Sequence, residues 1–126
     1  VRGSDIISVH VPGNASTAGL VDADFLDKMK PGAILINTSR GELVDEAALI
    51  RALNDGKVAA AGLDVLEQEP TPVDNPLLKM DNVLVTPHLA AFSQEAGEKS
   101  RMFAITNSAR VAGGDEPDSV VPSTDF

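Results

Sequence analysis

Four short apolar runs, bounded by turn residues and separated by stretches with helical spacing, constrain this chain more than any other feature. The first, residues 5–11, ends at Pro12-Gly13, and the second, residues 33–37, opens after Pro31-Gly32. Residues 58–65 form a third run of mostly small side chains, and residues 82–86 a fourth. Runs of this length between turn signals predict strands. Between the first two, Asp22 is placed to cap a short helix, with Val21 and Leu26 at the staple positions and Lys28 and Lys30 near its negative end. Asp45 is placed to cap a second helix, in which Leu49, Ile50 and Leu53 share a face and Gly56 marks the stop. A loop containing Pro70, Pro72 and Pro76 leads to the fourth strand. From Ser93 a long helix is expected to reach Ala112, with Met102, Ile105, Ala109 and Ala112 at helical spacing, before Gly113-Gly114.

Strands that alternate with helices and are almost continuously apolar imply parallel β-α-β units. The expected fold class is therefore α/β, a parallel sheet with flanking helices. The small residues of the third strand suit a central position covered closely on both faces. At 126 residues the chain fits one domain that buries roughly two-thirds of its unfolded surface. Hydrophobic residues make up 43%, which marks a globular chain.

The net charge of -9 argues against nucleic acid and anionic membrane surfaces as partners, and describes a solvated acidic exterior. No apolar run approaches the ~18 residues of a membrane span, and no signal-peptide pattern opens the chain. Cysteine is absent, so disulfides and thiolate zinc sites are excluded, and a cytoplasmic location is the natural expectation. Two histidines, His10 and His88, leave little scope for a histidine-rich metal site. No metal is expected. The chain begins without methionine and almost directly in a strand, as expected of a fragment, and residues 113–126 have the acidic, Pro- and Ser-containing composition of a loose tail.

Ligands of open parallel sheets bind beyond the carboxyl ends of the strands. At those ends this sequence places His10 and Pro12, then Asn37 to Arg40, then Asp64 with Glu67 and Glu69, then His88. Each has an ordinary structural alternative. Arg40 could pair with Glu42 or Asp45 on the surface. Its other use is to grip a planar carboxylate through two parallel hydrogen bonds, with Gly41 letting the backbone turn tightly beside it. His88 could be a hydrogen-bonded residue at a strand end, or a proton exchanger with Ala90-Ala91 leaving space beside it. Glu69 could be one more solvated acid, or an anion that favours the charged form of His88. Asp64 could simply cap its loop, or face a cofactor's amide. His10 is assigned to the groove wall. An anion clamp, a proton donor and a tuning carboxylate together suit redox chemistry on a 2-oxo or 2-hydroxy acid.

The stretches "SDIISVHVP", "MKPGAILINTSRGELVDEAAL", "AAGLDVLEQEP" and "NVLVTPHLAA" closely resemble the D-isomer-specific 2-hydroxyacid dehydrogenases, a family that includes D-3-phosphoglycerate dehydrogenase-like enzymes. The resemblance covers residues 4 to about 112, with the motifs in the family's order. It implies that Arg40 binds the substrate carboxylate, that His88 is the acid/base, and that Glu69, which directly precedes Pro70, orients and tunes that histidine. It also implies a nicotinamide cofactor, NAD with NADP left open, lying along Val11, Thr38, Ser39, Asp64, Ala90 and Ala91. The implied reaction is hydride transfer between the nicotinamide and C2 of a small 2-hydroxy or 2-oxo acid.

One signature of such a domain is missing. None of the ten glycines forms a G-x-G turn, the usual cradle of the pyrophosphate. Residues 1–112 are thus expected to be the second half of a Rossmann-type NAD-binding domain. Alone, the chain is expected to bind NAD weakly or not at all and to show no turnover. Its first strand is expected to present a bare edge, to be paired by a missing N-terminal half or by a second copy of the chain. The alternative is a non-catalytic association module derived from a dehydrogenase.

Overall fold

The computed structural model describes residues 1–120, and the chain divides after residue 90 into two compact units. The first unit contains β1 (Ile6–Val9), α1 (Ala23–Lys28), β2 (Ala33–Asn37), α2 (Glu46–Asn54), β3 (Val58–Leu63) and β4 (Val83–Val85). Single turns of 3-10 helix occupy Gly41–Leu43 and Pro76–Lys79. All strand pairs are parallel, and the order across the sheet is β1-β2-β3-β4. This is the expected α/β architecture. β2 has the expected bounds, whereas β1, β3 and β4 are shorter than their apolar runs. Val9 faces Asn37, and Asn37 faces Leu63, so three strands end together and the residues beyond them leave the ladder.

Both predicted caps of this unit form. The Asp22 carboxylate accepts from the Phe25 amide at 2.8 Å, and Asp45 accepts from the Ala48 amide at 2.8 Å. Each such cap is worth about 1 kcal/mol. The staple residues Val21 and Leu26 are both buried. A parallel bridge between Val21 and Val44 sets the two cap segments side by side, through Val21 N–H to the Leu43 carbonyl and Asp45 N–H to the Val21 carbonyl. α2 ends at Gly56, whose φ of +71° is the left-handed conformation that side-chain-bearing residues rarely adopt.

Strand register separates the two faces of the sheet. Val9, Leu35, Asn37, Ala61 and Leu63 are buried on one face. The core there is completed by Leu26, Leu49, Leu53 and Leu77, with α1 packed on α2 and α2 on β3. Each fully buried leucine contributes about 1.5–3 kcal/mol. The other face aligns Ile6 with Ile34 and Ala60, and Ser8 with Ile36, Gly62 and Leu84. None of these seven is buried, and Ile6 and Leu84 keep 62% and 69% of their surface exposed. The expectation that the sheet, and β3 in particular, is closely covered on both faces is therefore corrected. The physical reason is topological: the strands follow one another in order across the sheet, so right-handed crossovers all fall on one face, where α1, α2 and Leu77 of the β3–β4 loop share a core.

The second unit is built on α3 (Gln94–Ala112), which starts where expected, with the Ser93 hydroxyl accepting from the Ala96 amide at 3.0 Å. None of its residues is buried, including the expected apolar positions Met102, Ile105, Ala109 and Ala112. The segment after it is tied back onto the helix: Arg110 pairs with Asp118 at 2.8 Å, and the Asp118 amide donates to the Asn107 side chain. The rest of the expected loose tail, residues 121–126, lies outside the described residues. No described helix is long and apolar enough to cross a membrane.

Candidate active site

The carboxyl end of β2 is shaped by Asn37. Its buried side chain accepts from the Ser39 amide at 3.0 Å and donates to the Arg40 carbonyl at 2.9 Å, folding residues 37–40 into a tight turn. That turn leaves Arg40 exposed, with one guanidinium nitrogen donating to the Ser39 carbonyl at 2.7 Å. Among the described residues Arg40 forms no ion pair, so the pairing with Glu42 or Asp45 is not realised. Its charge is available to an external anion. Gly41 is required here for space, its φ being unexceptional. A Cβ at this position would lie 1.9 Å from the Leu66 carbonyl oxygen, so the arginine turn and the chain after β3 are in backbone contact.

Asp64 organises the opposite side. It is 4% exposed, and its carboxylate accepts from the Thr86 hydroxyl at 2.5 Å and from the amides of Leu89 and Ala90, each at 2.8 Å. Its own carbonyl accepts from the His88 amide at 2.8 Å. Burial, the largest single influence on this carboxyl group, pushes its pKa up. The Thr86 bond, the two amides and the His88 charge together outweigh it, and the group lies below the ordinary aspartate range. These bonds over-determine the residues around His88, whose φ of +56° is a conformation uncommon outside glycine. Asp64 thus builds the histidine turn.

The imidazole so presented meets Glu69. His88 Nδ1 and Glu69 Oε2 are 2.8 Å apart, while Glu69 Oε1 accepts from the Leu66 amide at 3.2 Å. The bond to His88 is the main reason that the Glu69 carboxyl lies below the ordinary glutamate range, with burial opposing it. The Nδ1 contact leaves Nε2 as the outward nitrogen of the ring. Arg40, Glu69 and His88 line a single cleft of about 290 Å³. A larger cleft of about 670 Å³ lies on the other flank of the Glu69–His88 pair, walled by apolar residues such as Leu66, Pro70, Leu78 and Val85.

Of the positions expected along a cofactor, those in the first unit stand just past the ends of β1, β2, β3 and β4. The Val11 carbonyl accepts from the Ser39 hydroxyl at 2.6 Å, joining the ends of β1 and β2. Thr38 is exposed beside them, and the Asp64 amide donates to the Asn37 carbonyl, joining β2 to β3. Ala90 is held through its amide by Asp64, and Ala91 begins the second unit. His10, exposed just past β1, has Nε2 2.8 Å from the Ser8 hydroxyl and lines neither of these clefts.

A nicotinamide fits this edge in its donors and acceptors. The Thr38 hydroxyl has no intramolecular hydrogen bond among the described residues, and Asp64 Oδ2 accepts only one bond there. No comparable fit exists for a pyrophosphate, because these 126 residues contain no G-x-G turn. Three structural contributors were not singled out from sequence. Asn37 shapes the arginine turn, Thr86 completes the Asp64 network, and Glu46 exchanges hydrogen bonds with Glu67. Asn37 acts within its own turn, two and three residues on, whereas the partners of Thr86 and Glu46 lie 21 to 29 residues away, so spacing gave no sign of those two.

Residues 1–90 match the family model described as D-isomer specific 2-hydroxyacid dehydrogenase, NAD binding domain. The chain belongs to this family. It is 50% identical over 111 residues to a D-3-phosphoglycerate dehydrogenase of Archaeoglobus fulgidus, covering 88% of this chain and 21% of that protein. It is 46% identical over 118 residues to a glyoxylate reductase of Thermofilum pendens, covering 94% and 35% respectively. The chain therefore spans between about a fifth and a third of these relatives. Among solved structures, a D-isomer specific 2-hydroxyacid dehydrogenase from Xanthobacter autotrophicus Py2, in complex with NADPH and MES, is similar with a TM-score of 0.85 and 43% identity. That match covers 99% of this chain and 51% of the other. The NAD-complexed form of a D-isomer specific 2-hydroxyacid dehydrogenase from Lactobacillus delbrueckii ssp. bulgaricus gives 0.88 and 38%, covering 95% and 40%. The family thus binds NAD, and its parallel sheet is Rossmann-type.

Proposed function

We propose that this chain is the substrate-facing half of the NAD-binding domain of a D-2-hydroxyacid dehydrogenase, acting on a small 2-oxo or 2-hydroxy acid. The observation that carries the reading is the cleft shared by Arg40, Glu69 and His88. When bound, the nicotinamide supplies or accepts a hydride at its C4. Arg40 holds the substrate carboxylate by paired hydrogen bonds and so orients C2. During reduction, C2 gains the hydride and His88 Nε2 gives its proton to the former carbonyl oxygen, yielding the 2-hydroxy acid. Glu69, on Nδ1, fixes the ring and stabilises its charged form. Thr38, Ser39, Asp64, Ala90 and the Val11 carbonyl form the nicotinamide side of the groove, and Ala91 follows Ala90 in the chain. Glyoxylate and hydroxypyruvate, small 2-oxo acids in keeping with the names of the relatives, are the substrates to try first. A cytoplasmic location accords with the lack of cysteine.

A second reading has its own support. With β1 unpaired on one side among the described residues and no G-x-G turn in the sequence, the chain as it stands is suited to association and ill-suited to holding NAD. The mass of the protein isolated from its source decides between them. A mass well above 13.1 kDa, with NADH oxidation on adding a 2-oxo acid, supports the enzyme. A mass of 13.1 kDa without NADH binding supports the association module and overturns the enzyme.

A further inference from the structure

Glu46 and Glu67, separated by 21 residues, exchange hydrogen bonds. Glu67 Oε1 accepts from the Glu46 amide at 2.8 Å, and Glu46 Oε1 accepts from the Glu67 amide at 2.6 Å. The second oxygen of Glu46 accepts from the Asn75 side chain at 2.9 Å. One carboxylate on the first turn of α2 thereby holds the excursion between β3 and β4 at two points, residues 67 and 75. Glu69 lies between them.

Helix capping alone does not account for this arrangement. Asp45 already caps α2 through the Ala48 amide. Nor does burial fix the glutamate, since Glu67 and Glu69 are both exposed. The Glu69 carboxylate has two partners among the described residues, the Leu66 amide and His88. Leu66 is in turn pressed against Gly41, next to Arg40. The same short segment thus touches the arginine turn on one side and is clasped to α2 on the other.

We propose that Glu46 and Glu67 form a reciprocal clasp that positions Glu69 against His88, with Asn75 closing the far leg. They are positioning residues, and neither lies within hydrogen-bonding distance of the imidazole. The proposal rests on the reading of Arg40, Glu69 and His88 as one site, and its test is independent of turnover.

The test is carbon-13 NMR titration of the Glu69 carboxyl in the chain and its variants, with the amide signals of β2 and β3 reporting the fold. Glu46→Ala removes the carboxylate that accepts from the Glu67 amide and from Asn75, leaving only the residue-46 amide bond to Glu67 Oε1, and removes one nearby negative charge. Loss of charge alone would lower the Glu69 titration midpoint, whereas loss of the His88 contact raises it. The clasp therefore predicts a rise toward the ordinary glutamate range in Glu46→Ala. It predicts no rise in Glu67→Gln, where the amide oxygen still accepts from Glu46. Should Glu46→Ala fail to fold, Glu67→Asp, one methylene short of its partner, is expected to give the same rise. An unchanged or lowered midpoint in a folded Glu46→Ala overturns the proposal, as does unfolding of both Glu46→Ala and Glu67→Asp, which would make the pair a plain stabiliser. Inactivity toward 2-oxo acids of a longer dehydrogenase containing this segment and a pyrophosphate-binding turn would instead overturn the dehydrogenase reading and leave the titration result standing.

Discussion

Gly41 and Leu66 meet backbone to backbone, so closely that a Cβ on Gly41 would lie 1.9 Å from the Leu66 carbonyl oxygen and 2.7 Å from the Glu67 nitrogen. This contact sets the arginine turn against the segment that carries Glu69. Neither side can yield by rotating a side chain. Gly41→Ala is expected to destabilise the chain by about 1–3 kcal/mol through overpacking. The melting temperature should then fall by about 4–8 °C per kcal/mol, measured by circular dichroism. An unchanged melting temperature would mean that the two backbones separate readily in solution.

Acid should weaken the histidine turn through Asp64. Its folded-state pKa lies below the ordinary value, so the unfolded chain binds the proton more readily. Stability from this group is complete above the ordinary aspartate value, about 3.9. It is lost as pH falls below that value and through the folded pKa. In Asp64→Asn the side chain can no longer accept from all three donors, and one amide hydrogen meets another. A loss of about 1–3 kcal/mol is expected at neutral pH. Urea midpoints of the two proteins should converge as pH falls from 5 to 2. A constant gap would show that the Asp64 charge contributes nothing to the turn.

Much of this arrangement was legible because it depends on local chemistry. Pro31-Gly32 bounds β2, and the caps at Asp22, Asp45 and Ser93 form as their residue types imply. That Arg40, Glu69 and His88 should meet followed from parallel topology, which brings strand ends to one edge. The open second face was not legible. An apolar strand has the same sequence whether its cover comes from its own chain or from another, and Ile34 and Ile36 carry no mark of which. The Asp64 and Glu46 networks were equally hidden, because their partners lie 21 to 29 residues away along the chain. Glu69 was distinguished from Glu67 only by Pro70 beside it. The geometry gives the reason for the distinction, with Glu69 on the imidazole and Glu67 on α2.

The free edge of β1 predicts self-association. β1 pairs only with β2, so its outer backbone groups have no strand partner among the described residues, and Ile6 is 62% exposed there. Such edges template pairing with another strand, and a lysine placed on them opposes it. Sedimentation velocity should show a concentration-dependent dimer for the chain and a more monomeric Ile6→Lys variant. A monomer at all concentrations would remove this prediction.

Arg40 and His88 should fail in different ways when the residues are altered in a catalytically complete dehydrogenase containing this segment. The guanidinium fork binds the carboxylate in both ground and transition states, so Arg40→Lys should act largely on KM for the 2-oxo acid. Lysine keeps the charge and loses the paired geometry, and a rise of about 10- to 100-fold follows from losing about 1.5–3 kcal/mol of charge-assisted hydrogen bonding. His88→Gln removes the proton donor, which is needed only as the carbonyl oxygen gains charge. Its kcat should fall about 10²- to 10⁴-fold with little change in KM. Steady-state kinetics with NADH and hydroxypyruvate separate the two. If both variants raise KM alone, His88 is a binding residue and the proton comes from elsewhere.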